Sequence, residues 1–369
     1  MSRIDDLIAE HCPDGVAFKR LGDIVRIKNG KDHKSLGDGE FPVYGSGGIM
    51  RYADTYAYNK PSVLIPRKGS LGNLFFVDVP FWTVDTIFYT EIDESQVRPK
   101  YLYYFLTTVG LGEMNQAGGV PSQTQSVLNE LKIPVPCPDK PEKSLEIQAE
   151  IVRILDSFTE LTAELTAELT ARKKQYNYYR DKLLSFEEGE VEWKALGEVA
   201  NIKNGKDWKK LGEGDIPVYG SGGIMAYVDS FAYDKPTVLI PRKGSITNIF
   251  YVDEPFWNVD TIYYTEIDFA QINPKFFFHY LKTLDLMRLD TGSGRPSLTQ
   301  AILNTILIPI PVLEEQARIV AILDKFDALT NSIAEGLPRE IELRQKQYEY
   351  YRDLLFSFPK PEAALAASA

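Results

Sequence analysis

Apolar residues come in short bursts along the first 140 positions. Val63-Leu64-Ile65 and the run 74–77 are β-branched or aromatic stretches bounded by Gly, Pro and Asn, which predicts strands. Residues 100–107, rich in Tyr, Leu and Phe and preceded by Pro99, predict a helix, and 126–131 a second short one. The pattern then changes. Ile151, Leu155, Phe158, Leu161, Leu165 and Leu169 recur at steps of three or four, a helical stripe. It predicts one helix over residues 144–186, near 43 residues and ~65 Å at 1.5 Å per residue. The short bursts return, and a second long helical stretch follows over 313–356, with a break at Gly336-Leu337-Pro338 because proline disrupts a helix interior.

The return of the pattern is a repeat of the sequence itself. The pentapeptide 28–32, KNGKD, recurs at 203–207, and 42–50, PVYGSGGIM, recurs unchanged at 217–225. VLIPRKGS at 63–70 recurs at 238–245, VDTI at 84–87 recurs at 259–262, and IPVP at 133–136 recurs as IPIP at 308–311. All share one offset of 175 residues, and 68 of the 119 positions from Phe18 to Pro136 are identical in the second copy. A unit this long is no solenoid repeat, which runs ~20–50 residues. Each copy is expected to bury its own core as an α+β domain. The helical segments are also repeated: 148–156 parallels 316–324, and QYNYYRD at 175–181 parallels QYEYYRD at 347–353.

A long helix with one apolar stripe needs a partner. Two arrangements are open. In one, the helices pack on each other as an antiparallel, coiled-coil-like pair relating the domains by a pseudo-twofold, with Ile151, Leu155, Phe158, Leu165, Leu169, Ile319, Leu323 and Phe326 at the seam. In the other, each helix folds back on its own domain. Within the first helix TAEL at 162–165 is followed at once by TAEL at 166–169. Each such unit lengthens a helix by ~6 Å and turns it by ~400°, which keeps the apolar face nearly in phase. The residues alone leave open a harmless slippage repeat or a device that sets the distance between domains.

The net charge of −11 looks wrong for a nucleic-acid binder until its distribution is read. Residues 18–136 carry 13 basic and 12 acidic side chains, and 193–311 carry 12 and 13, so the whole excess lies on the connecting segments. Cys12 and Cys137 make no disulfide framework and lack the paired spacing of a zinc site, and His11, His33 and His279 are scattered. With no apolar run of 18 residues and Asp5-Asp6 where a signal peptide would be basic, the expected location is the cytoplasm.

Enzyme motifs are absent: no phosphate loop, no dinucleotide fingerprint, no nucleophile elbow, no HExxH. Residues 45–48, GSGG, read as a tight turn, and Asp85 and Asp260 as lone acids in turn or capping roles. What remains is binding chemistry. Arg67, Lys68, Ser70 and Asn73, with Arg242, Lys243, Ser245 and Asn248, set two cations at a strand end before a glycine and small polar donors. Arg suits guanine, and Lys and Ser suit phosphate. Lys31 and Lys34, with Lys206 and Lys209, form a second candidate group. Gln123 and Thr124, with Arg295 and Thr299, form a third. A solvated turn remains an alternative for each.

Taken together, the order domain, long helix, domain, long helix, the IPIP segment leading to Glu315-Gln316 and Ile319, and the TAEL units followed by 172–181 resemble the specificity subunit of type I restriction–modification systems from Ile4 to Phe358. The resemblance implies that each domain is a target recognition domain reading half of a split site on double-stranded DNA. It implies that the helices space the halves and dock two methyltransferase subunits, with restriction (motor) subunits completing the enzyme. S-adenosylmethionine, ATP and Mg would then sit on those partners, this chain binding no cofactor, metal or membrane and carrying no catalytic residue. In the subgroup with TAEL units their number is linked to the unread spacer. The implied organisation is 1–141, N-terminal segment and first recognition domain; 142–187, central helix; 188–312, second recognition domain; 313–358, C-terminal helix; and a disordered tail, 359–369.

One departure is informative: family recognition domains usually differ strongly, and here they are near copies. The expected target is therefore close to palindromic with a gap. The copies still differ where reading could occur, at His33 against Trp208, Arg51 against Ala226, Gly72 against Thr247, Val120 against Arg295 and Gln123 against Leu298, so one or two base pairs are expected to differ between the halves. The alternatives are a stand-alone sequence-specific DNA-binding protein and a fused enzyme with an unrecognised site.

Overall fold

A computed structural model describes residues 3–12, 16–114, 119–187, 189–292, 294–331 and 336–358. The predicted tail, 359–369, lies outside the described residues. The chain forms two compact units, one built from residues up to Glu164 together with those from Ile341 onward, the other from Leu165 to Glu340.

The first unit contains helices α1 (Arg3–His11), α2 (Leu21–Ile24), α3 (Pro99–Leu106) and α4 (Gln125–Asn129). Its strands are β1 (Ala17–Arg20), β2 (Val25–Asn29), β3 (Phe41–Gly45), β4 (Gly48–Ala53), β5 (Ser62–Pro66), β6 (Phe75–Val77), β7 (Trp82–Thr83), β8 (Ile87–Ile92) and β9 (Lys132–Val135). They form a four-stranded sheet in the order β2-β8-β5-β6, a three-stranded sheet β4-β3-β7 and a two-stranded ribbon β1-β9. Every residue of β5 is buried, as its unbroken apolar run requires of a central strand. Ser62 and Thr90 are buried in the same sheet, and Thr90 Oγ1 donates to the Val63 carbonyl at 2.9 Å. Pro99 opens α3, where a missing N–H is harmless, and buries Tyr101, Leu102, Tyr104 and Leu106 beneath it. The predicted strands and short helices are thus present, each within a residue or two of its predicted limits.

The second unit repeats this order at the same offset. Its strands are β10 (Glu192–Ala195), β11 (Ala200–Asn204), β12 (Ile216–Gly220), β13 (Gly223–Val228), β14 (Thr237–Pro241), β15 (Phe250–Val252), β16 (Trp257–Asn258), β17 (Ile262–Ile267) and β18 (Leu307–Ile310), with sheets β11-β17-β14-β15 and β13-β12-β16 and ribbon β10-β18.

The long helix α5 (Pro141–Leu183) belongs to both units. After it come α6 (Leu196–Val199), α7 (Pro274–Leu281), α8 (Gln300–Leu303), α9 (Leu313–Asn331) and α10 (Gly336–Phe356). The predicted break is present: α10 begins at Gly336 and carries Pro338 in its first turn, where proline is tolerated. In the first unit, Ile147, Ile151 and Leu155 of α5 lie in one core with Tyr101, Leu102 and Phe356 of α10. Phe158 stacks on Tyr351 there, ring centres 5.4 Å apart. In the second unit, Ile319 and Leu323 of α9 lie in the core with Tyr176 and Leu184 of α5, and Phe326 stacks on Tyr179 at 5.8 Å. Leu165 and Leu169 are half-buried. The expected seam is therefore divided: Ile151, Leu155, Ile319 and Leu323 fill domain cores, whereas ring stacking joins helix to helix.

Cys12 and Cys137 are joined as a disulfide, with Cα atoms 5.6 Å apart. One bond is no framework, but it ties the residue after α1 to the segment before α5.

Candidate nucleic-acid interface

In the first unit the strand ends gather loops that are distant in sequence. The Thr86 carbonyl accepts the N–H groups of Arg67 (2.8 Å) and Lys68 (3.2 Å), while Thr86 Oγ1 accepts the N–H of Ser46 at the tip of the β3–β4 hairpin (3.3 Å). Asn73 Nδ2 donates back to the Ser46 carbonyl at 3.4 Å. The 121–123 segment closes the other side: Gly69 N–H donates to the Pro121 carbonyl at 2.8 Å and Gln123 N–H to the Arg67 carbonyl at 3.0 Å. Gly69 has φ +84°, a conformation that favours glycine. The 29–34 loop joins through Lys31 N–H to the Thr83 carbonyl (2.8 Å) and Trp82 Nε1 to the Lys31 carbonyl (3.2 Å). A Cβ on Gly30 would stand 1.9 Å from the Val84 carbonyl oxygen, so only glycine passes there.

The second unit rebuilds the same lattice. Arg242 and Lys243 N–H donate to the Thr261 carbonyl (2.8 and 3.3 Å), and Gly244 N–H to the Pro296 carbonyl (2.9 Å). Ser221 N–H donates to Thr261 Oγ1 (3.4 Å), and Asn248 Nδ2 to the Ser221 carbonyl (3.3 Å). Lys206 N–H donates to the Asn258 carbonyl at 2.8 Å. All three predicted groups of each copy thus meet around one turn, 83–86 or 258–261. GSGG at 45–48 is the expected tight turn, and Asp85 lies exposed in the turn after β7. The residues that organise the lattice, Thr86 and Thr261 with Ser46 and Ser221, were not among the predicted ones. Their only signal was the unchanged PVYGSGGIM and VDTI stretches.

Among the described residues, no carboxylate pairs with Lys31, Lys34, Lys68, Lys206, Lys209 or Lys243, and all six are exposed. The guanidinium of Arg67 lies 5.9 Å over the Phe88 ring and that of Arg242 6.0 Å over Tyr263. Burial raises the Tyr263 hydroxyl above its ordinary pKa, with Arg242 opposing it. On the long helices several cations are paired, as in Arg153–Glu150, Arg180–Asp181, Arg318–Glu315 and Arg352–Asp353. Ser70, Ser245, Asn73, Asn248, Thr124 and Arg295 are exposed beside the lattice. Thr299 is exposed too, but its side chain accepts the Ile302 N–H as a helix cap.

Two expectations are corrected here. Gln123 is only 2% exposed and its Nε2 donates to the Pro66 carbonyl, so it braces the loop from inside instead of facing a base. Its counterpart Leu298 is equally buried. Arg51 is also engaged, its Nη2 donating to Asp38 Oδ1 at 2.8 Å and to the Leu36 and Gly37 carbonyls. Among the described residues no group of three or more His, Cys, Asp and Glu gathers as a metal site, and no helix is long and apolar enough to cross a membrane.

Residues 13–172 and 188–343 match the family described as "Type I restriction modification DNA specificity domain". The chain belongs to this family. It is 46% identical over 314 residues to the Escherichia coli type I restriction enzyme EcoR124I/EcoR124II specificity subunit, covering 74% of each chain. It is 33% identical over 377 residues to a putative type I restriction enzyme specificity subunit of Haemophilus influenzae, covering 93% of this chain and 96% of that one. The crystal structure of the type I restriction–modification S subunit from M. genitalium shares the fold, with a TM-score of 0.63 and 22% identity over 94% of this chain and 96% of that one. As a type I specificity subunit the protein is the non-catalytic member of its complex, and catalysis resides on other subunits.

Proposed function

We propose that each unit of this specificity subunit reads one half of a split site on double-stranded DNA through the loops around residues 83–86 and 258–261. The observation that carries the reading is the duplicated lattice of backbone bonds, which holds exposed lysines without acidic partners among the described residues beside small polar donors. Lys31, Lys34 and Lys68, with Lys206, Lys209 and Lys243, would bind phosphate. Arg67 and Arg242, held over aromatic rings, would reach base edges. The similarity of the copies, identical at 68 of 119 positions, makes the two half-sites near copies, so the target is close to palindromic with a gap.

The helices set the gap. The chain passes from one unit to the other between Glu164 and Leu165, inside the TAEL repeat. The α5 and α10 helices also expose Tyr178 and Tyr350, which we assign to docking of two methyltransferase subunits, with restriction subunits joining them. S-adenosylmethionine, ATP and Mg belong on those partners, and the complex acts on DNA in the cytoplasm. Co-purification with the cognate methyltransferase, native mass measurement and mapping of methylated sites test this. Two methyltransferases per chain and inverted, related half-sites are expected. A chain that ignores the methyltransferase yet binds DNA tightly would make it a stand-alone DNA-binding protein.

A further inference from the structure

Of the five differences between the copies named above, the fold removes most from any reading role. Gln123 and Leu298 are buried, and Arg51 is bound to the 36–38 loop. Trp208 packs against the Val218, Val228 and Val259 cluster, and its counterpart His33 is half-buried. Gly72 and Thr247 are exposed but offer only hydrogen against a short hydroxyl. The remaining pair is large, chemically opposite and outward-facing: Val120, 69% exposed, against Arg295, also exposed.

Their placement is fixed by the lattice. Each stands one residue before the proline whose carbonyl accepts the Gly69 or Gly244 N–H, beside the Arg-Lys pair. In the second unit side chains close this loop. The Asp290 carboxylate accepts the N–H groups of Gly292 (2.8 Å) and Ser297 (2.7 Å), and Thr291 Oγ1 donates to the Ser297 carbonyl at 3.2 Å. Those two amide donors hold Asp290 below the usual carboxylate range. Among the described residues nothing pairs with the Arg295 guanidinium. The second unit's loop thus presents an arginine with no partner among the described residues, where the first unit has an exposed valine.

We propose that this position makes the two half-sites unequal: Arg295 reads a guanine in the half bound by the second unit, and Val120 meets a thymine methyl at the equivalent step of the first. Arg pairs bidentately with guanine O6 and N7, and an apolar side chain suits the thymine C5-methyl. The inference rests on the half-site reading above, and its test separates the two. Methylated sites are mapped for the complex of wild type, Val120→Arg and Arg295→Val with the cognate methyltransferase. Wild type should give inverted half-sites differing by one base pair, G·C in one and A·T in the other. Val120→Arg should turn that A·T into G·C and leave the other half untouched. Arg295→Val should cut the preference for guanine by about 5- to 150-fold. Both side chains are exposed, so melting temperatures should stay within a degree or two of wild type. Related half-sites with unchanged motifs in both variants, or uniform weakening at every sequence, would overturn this inference and leave the half-site reading standing. Unrelated half-sites in the wild type would overturn that reading itself.

Discussion

Phe356, near the end of the described chain, is expected to be one of the most sensitive positions of the first unit. It is 9% exposed and its ring meets Tyr101 at 5.2 Å, Phe105 at 5.6 Å and Phe358 at 6.4 Å between centres. Phe356→Ala leaves a ring-sized void against the buried face of α3. Deleting a buried Phe costs about 3–5 kcal/mol, the lost aromatic pairs included. For a unit of about 190 residues, where 1 kcal/mol moves the midpoint by roughly 2–4 °C, this amounts to a drop on the order of 10 °C. Hydrogen exchange locates the effect. Protection should fall in α3 and in residues 147–155 of α5, and persist at the equivalent α7 around Phe276 in the second unit. A loss below about 1 kcal/mol, or equal loss of protection in both units, would refute the assignment of this ring to the first core.

Other consequences are open to direct measurement. Arg67→Ala should relax one half-site at one position by about 1–3 kcal/mol, whereas Lys68→Ala should weaken binding at all sequences and reduce the salt slope by about 1; a band-shift series at several salt concentrations separates them. Gln123→Leu, which installs the residue of the other copy, should leave the methylated motif unchanged and move stability by no more than about 1 kcal/mol. The lost Pro66 bond is offset by removing an amide oxygen that is buried without a partner among the described residues. A changed motif would restore Gln123 as a base reader. His279 is buried, and desolvation lowers its pKa despite Asp324, which its Nε2 meets at 3.1 Å. The unfolded chain therefore binds this proton more readily, so its contribution falls as pH drops below the unfolded value of 6.5. Melting of the second unit should be earlier at pH 5.5 than at 7.5, and His279→Tyr, copying Tyr104 and its 2.6 Å bond to Asp156, should flatten the difference.

The elements were legible because local periodicity and punctuation specify them. The β5 run, Pro99 before α3, the stripe along α5 and Pro338 at the head of α10 each act within a few residues. The repeat offset then dictated that whatever one copy builds the other builds too. What could not be read was which loops meet. Thr86 has no chemical mark, yet it ties Ser46, Arg67 and Lys68 together, and that follows only from how β8 lies beside β5. Gln123 misled for the same reason: a polar residue in a turn is exposed unless another segment covers it, and the Pro66 end of β5 does. The helices kept two arrangements open because one stripe serves domain core and helix partner alike. The rings decide between them locally, with Phe158 on Tyr351 and Phe326 on Tyr179.

The division of the first unit between the two ends of the chain also sets a timetable for synthesis. Phe105 leaves the ribosome 251 residues before Phe356, an interval of roughly 10–50 s at ~5–20 residues per second. By the time α9 is made the first unit has its sheets but not the ring that seals α3, while the second unit already holds its share of α5 and its own sheets. The later-made half is thus the first able to finish, and until translation nears its end the nascent protein carries an open aromatic socket at Tyr101 and Phe105. A chaperone that shelters such surfaces would find its substrate there, and a stop codon anywhere before α10 would leave that socket permanently unfilled.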